Sequence, residues 1–214
     1  MRRLIALVCL TTLVCLAAFR ATASDLGGML PMLKQGGYVL VVRHVATDDG
    51  QKDVYPFVFD DMKKQRQLSE EGRKAAREMG AAMKTLGVPL DQIYTSKLNR
   101  AVETGALVSG KGTTAVTELT DSSAGIASNM TNPKGGNIKI RNAIQSLVNK
   151  APASGTNNVL VTHKTNITDA FGKDFSDVKE GEILIYKPDP SGPPTFVGRV
   201  KANEWTAQAS SLKP

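Results

Sequence analysis

The stretch Tyr38-Val39-Leu40-Val41-Val42-Arg43-His44 decides how this chain is read. Its unbroken apolar run, rich in β-branched valine, has neither a helical nor an alternating period. It reads as a strand buried on both faces of a parallel sheet. Asn158-Val159-Leu160-Val161-Thr162-His163 is a second run of the same kind. Each run closes on a histidine, and the chain has only these two. Open α/β sheets take their ligands outside the carboxyl ends of their strands. One pocket built from two strand ends is therefore expected.

Around these runs the pattern alternates. A short helix is expected over residues 30–34. Ser69 caps a second helix, with Glu70 and Glu71 in the first turn, an apolar stripe of Ala75, Ala76, Met79, Ala82, Met83 and Leu86, and Gly87 at its end. Residues 92–95 read as a short strand, and residues 97–109 and 138–148 as helices. Residues 182–186 and 195–200 read as a hairpin around a Pro/Gly-rich turn, and the tail after Trp205 as frayed. Residues 49–67 are polar, with Pro56, Tyr55, Phe57 and Phe59, and too long for a plain connection; they suit a lid or a wall of the substrate pocket. The pattern implies a three-layer α/β/α sandwich, its sheet mostly parallel with an antiparallel edge.

The chain opens on Met1-Arg2-Arg3, an apolar run over residues 4–19, and the small residues Ala21-Thr22-Ala23 before Ser24. That is the layout of a secretory signal peptide, residues 1–23, cleaved after Ala23; residues 24–214 then form a single domain. The apolar run is short for a membrane span, so no stable membrane insertion is expected after cleavage. Both cysteines, Cys9 and Cys15, lie in this segment, which leaves the mature chain without disulfide or thiol chemistry. Cleavage removes Arg2, Arg3 and Arg20 and no acid, so the net charge falls from +7 to +4. Basic and acidic residues are interspersed, without the basic, aromatic-laced patch of a nucleic-acid binder.

Four side chains are expected to converge: Arg43, His44, Arg100 and His163. Arg100 opens the helix after the strand at residues 92–95, so it too sits at a strand's carboxyl end. Two arginines supply forked, permanent donors for phosphate oxygens. A neutral histidine can attack phosphorus covalently. No metal-ligand spacing and no Walker-type glycine loop is present, so neither metal nor cofactor is expected.

Arg43-His44-Val45-Ala46-Thr47 resembles the R-H-G-x-T motif of the histidine phosphatase, or phosphoglycerate mutase-like, superfamily. Gln67-Leu68-Ser69-Glu70-Glu71-Gly72-Arg73 is similar to its L-T/S-x-x-G helix start. Ser96-Lys97-Leu98-Asn99-Arg100-Ala101-Val102-Glu103-Thr104 matches S-x-L-x-R-A-x-x-T, and Val161-Thr162-His163 followed by Asn166-Ile167 resembles the second-histidine motif. The resemblance runs from about Tyr38 to Val200. It implies a phosphoglycerate mutase-like fold, His44 as the nucleophile that becomes phosphohistidine, and Arg43, Arg100 and His163 as phosphoryl ligands, with Thr47 lining the pocket. It also implies a carboxylate proton donor. Asp121 is in register with the family carboxylate, and Glu118 and Glu182 are the alternatives.

Two positions depart from the family pattern. Val45 replaces the motif glycine, so the turn after His44 must use ordinary backbone angles. Lys164 follows the second histidine, where the acid phosphatase and phytase branch places an aspartate donor; that branch is disfavoured. The implied function is a periplasmic or secreted phosphomonoesterase acting on a small phosphorylated substrate. The chain looks most like the short exported branch that includes lipopolysaccharide-core heptose phosphate phosphatases, with a phosphosugar as one substrate class. The rivals are a non-catalytic anion-binding module of the same fold and a phosphotransferase or mutase.

Overall fold

A computed structural model describes residues 26–120 and 138–212. Residues 1–23, read as a signal peptide, and the carboxylate candidate Asp121 lie outside the described residues. In chain order the elements are α1 (Leu26–Gln35), β1 (Val39–Arg43), α2 (Glu70–Thr85), β2 (Leu90–Thr95), α3 (Asn99–Ser109), β3 (Thr114–Ala115), α4 (Ile138–Val148), β4 (Asn157–Thr162), α5 (Lys164–Phe171), β5 (Ile183–Lys187), β6 (Thr195–Val200) and α6 (Ala202–Ser210). Short 3-10 turns cover Met62–Lys64, Thr117–Leu119 and Lys173–Phe175. Among the described residues no helix is long and apolar enough to cross a membrane.

The sheet order is β3-β2-β4-β1-β5-β6. The first four strands run parallel; β5 is antiparallel to β1, and β6 to β5. The two valine-rich runs lie side by side at its centre, in register from Val39 against Asn158 to Arg43 against Thr162. Their side chains alternate between two cores. Leu40, Val42, Val159, Val161, Ile183 and Ile185 face a core closed by α1, α2, α3 and α6. Val39, Val41, Leu160, Leu184 and Tyr186 face a second core closed by α4 and α5. Apolar surface on both faces is what a strand read as continuously hydrophobic requires, and the result is the expected three-layer sandwich.

Helix α2 begins as its sequence demands: the Ser69 hydroxyl accepts the Gly72 N–H at 3.0 Å. Gly72 has a second role. A Cβ there would lie 2.1 Å from the Ala46 carbonyl oxygen, so only glycine lets the helix press against the loop after His44. Ser69 N also donates to Ala46 O at 3.1 Å, and Thr47 bridges Leu68.

The tail expected to fray after Trp205 is instead helix α6. Trp205 has no exposed surface and belongs to the first core. The Glu204 carboxylate accepts the Lys201 N–H and fixes the start of the helix. The burial of one indole, large enough to anchor two turns of helix, outweighs the weak local pattern.

Candidate active site

Strand β1 leads on to α2 over one face of the sheet, and its neighbour β4 leads to α5 over the other. Between them the connections diverge, which opens a crevice at their carboxyl ends. His44 and His163 stand at this crevice, each one residue beyond its strand. His44 N donates to Thr162 O at 3.1 Å, and the two imidazole centroids are 5.2 Å apart. Both rings are buried.

The ring of His44 is oriented by its own backbone. Nδ1 lies 2.8 Å from Val45 O. A carbonyl can only accept, so the proton is on Nδ1 and the lone pair is on Nε2. Burial, chiefly, pushes the His44 pKa down to about 3; the Val45 hydrogen bond opposes this, and the guanidinium groups of Arg100, Arg43 and Arg66 reinforce it. Burial also holds His163 well below its usual range, followed by the charges of His44, Arg100, Arg66 and Arg43. His163 Nε2 lies 2.8 Å from Ser96 Oγ, and that oxygen already accepts the Leu98 N–H at 3.1 Å. The Ser96 hydroxyl thus fixes the orientation of the His163 ring, whose Nδ1 is buried with no partner among the described residues. His44 offers a lone pair at Nε2, and the buried ring of His163 stands beside it.

Arg100 is buried at the start of α3 and pairs with Asp53 Oδ1 at 3.0 Å. Arg43 is half-buried. Its terminal nitrogens donate to Val178 O at 2.8 Å and Glu180 Oε1 at 3.0 Å, which leaves Nε buried without a partner. Burial lowers its pKa, with Glu180 opposing. Thr47 is near-buried, and its hydroxyl bonds to no described residue. Val45 keeps an ordinary backbone, since no residue other than glycine has positive φ among those described. Its side chain fills the first core, and its N–H donates to Thr104 Oγ1 at 3.3 Å. Lys164 is exposed at the first position of α5.

The carboxylate alternatives separate. Glu182 is 1% exposed and spent: Arg199 grips both oxygens at 2.6 and 2.8 Å, and Lys179 N donates to it at 2.7 Å. Burial opposes its ionisation, but these donors overcome it and hold the carboxyl below its usual range. A carboxylate so bound carries no proton to give. Glu118 is exposed in the Thr117–Leu119 turn.

Sequence reasoning missed three residues here. Ser96 was present in a motif without a role. Arg66 is half-buried and forms no ion pair among the described residues, yet its charge acts on both histidines and on Arg43. Asp53 holds Arg100 and also accepts the Arg66 N–H at 2.8 Å. Only the position of Arg66, two residues before Leu68 of the second motif, could have singled it out.

The model of the histidine phosphatase superfamily (branch 1) matches residues 39–135. No curated protein matches the chain. Solved structures do match in fold. The Entamoeba histolytica phosphoserine phosphatase bound to 3-phosphoglyceric acid has a TM-score of 0.55 and 15% identity, over 78% of this chain and 98% of that one. The protein histidine phosphatase SixA with tungstate has a TM-score of 0.52 and 17% identity, over 78% and 97%. A mycobacterial glucosyl-3-phosphoglycerate phosphatase with inorganic phosphate has a TM-score of 0.51 and 16% identity, over 78% and 99%. The family model is matched by the segment that holds His44 and Arg100, and the similar solved structures share the fold.

Proposed function

We propose that this chain is an exported, metal-independent phosphomonoesterase that works through a phosphohistidine on His44. The observation that carries the reading is the His44 Nδ1 bond to Val45 O, which aims the chemistry at Nε2. Nε2 attacks phosphorus while the bond to the leaving oxygen breaks and that oxygen takes up a proton. Water then attacks phosphorus and gives up a proton to the group that supplied one, the N–P bond breaks, phosphate leaves, and the neutral imidazole is restored. Arg100, Arg43 and Arg66 supply positive charge and donors for the equatorial oxygens in the transition state, with the His163 ring beside them. This is the task a metal ion performs elsewhere. Asp121 is the proposed proton donor, with Glu118 as the alternative.

The supports for the phosphatase reading are the family match, the phosphatase folds it resembles, and the pairing of two histidines with arginines. Export rests on the layout of residues 1–23. The substrate is a small phosphate ester; a phosphosugar of the heptose phosphate kind rests on the motif resemblance to the short exported branch.

A panel of phosphate esters, assayed with the full chain expressed from its own start, tests this. Turnover should survive chelator, fall with vanadate or tungstate, and be found outside the cytoplasm on a chain beginning at Ser24. Activity that vanishes with chelator and returns with a divalent ion would contradict the mechanism. An intact Met1 terminus held in membranes would contradict export.

A further inference from the structure

Residues 48–67 form a strap folded back on the start of α3. Asp48 N donates to Gln67 O at 3.0 Å, and Val54 N to Lys64 O at 2.8 Å, which closes the strap on itself. Gln65 Oε1 accepts the Asn99 N–H at 2.9 Å, and Gln67 Oε1 accepts from the Asn99 side chain, so the strap is tied to the residue before Arg100. Asp53 is the acid that the strap brings to Arg100. A single oxygen, Oδ1, takes both Arg100 NH1 at 3.0 Å and Arg66 N at 2.8 Å. Arg100 is 1% exposed and Asp53 24%, so the pair is only partly screened.

We infer that Asp53 is a built-in competitor for the phosphoryl group at Arg100, and so a specificity-determining residue for how tightly anions are held. This rests on the phosphatase reading above. A phosphoryl dianion reaching Arg100 must share the guanidinium with a carboxylate or displace it. Sharing brings negative charges close together where screening is weak, and displacement breaks the Asp53–Arg100 pair. The cost falls on every bound phosphate, product included. Weak ground-state binding keeps binding energy for the transition state and lets inorganic phosphate leave.

Asp53→Asn isolates the charge, because the Asn side-chain oxygen can still accept from Arg100 and from Arg66 N. Calorimetric titration at pH 7 with orthovanadate and with inorganic phosphate reads the effect. Asp53→Asn should bind both roughly tenfold more tightly than wild type. KM should fall with it, while kcat does not rise. In an Arg100→Ala background the same substitution should have no such effect. A purely structural clamp predicts the opposite sign, since loosening Arg100 weakens anion binding. Wild type that binds while Asp53→Asn binds no more tightly overturns the proposal and leaves the phosphatase reading intact. Equal tightening without Arg100 overturns it too. Wild type that binds neither anion overturns both.

Discussion

At the residue scale, the two histidines make the sharpest statement, and they are the only ones in the chain. An unfolded imidazole takes a proton below about pH 6.5. Folded His44 stays neutral down to about pH 3, with His163 shifted in the same direction. Within that window the unfolded chain binds more protons than the folded one. Their contribution to stability is therefore complete above pH 6.5 and is lost as pH falls through the window toward 3. Imidazole 15N spectra will report only these rings. At pH 5 both should be neutral, with His44 protonated on Nδ1. A ring that titrates near pH 6.5 in the folded protein would show that the burial argument is wrong.

The same scale shows what the sequence could and could not reveal. His44, His163 and Arg100 were legible because strand ends and helix starts fix where they point. Glu182 looked as available as any other acid. Its capture depends on Arg199, which the hairpin register sets beside it, opposite Leu184. Asp53 and Arg66 were hidden among the lysines, arginines and acids of a polar run. Their place depends on how the strap folds back onto α3, and that follows no local period.

At the element scale, the strands and the two long amphipathic helices α2 and α3 were readable because each repeats its pattern over several turns or residues. Helix α5 was not. It has eight residues, starts directly after His163, and opens on the polar Lys164-Thr165-Asn166. Helix α6 shows only Trp205 and Ala209 as buried positions, too few to mark a period. Strand β3 is two exposed residues. Helix α2 also carries a test of how elements set the site. Gly72→Ala drives a Cβ into the Ala46 carbonyl, whereas Gly80→Ala drives one to 2.3 Å from Val108 O, on α3 and away from the histidines. Each should cost about 1–3 kcal/mol in denaturant unfolding. Only Gly72→Ala should also lower kcat per folded molecule, since Ala46 follows the Val45 carbonyl that orients His44. Wild-type kcat in folded Gly72→Ala would separate the helix contact from the chemistry.

At the scale of the whole molecule, the site is a consequence of topology. Two central parallel strands in register, with connections leaving over opposite faces, bring two histidines from distant parts of the chain to ring centroids 5.2 Å apart. Helix α3, seated on the neighbouring β2, adds Arg100, and the strap adds Arg66 and Asp53. The fold supplies positive charge beside an imidazole whose tautomer is fixed by its own backbone. The measurement that tests this most directly is a rapid quench, without acid, during turnover of a slow phosphate ester, followed by peptide mapping. The account predicts an acid-labile phosphoryl group on His44, and neither adduct nor turnover in a folded His44→Ala variant. Full turnover in His44→Ala, or an adduct on His163 instead, would contradict it.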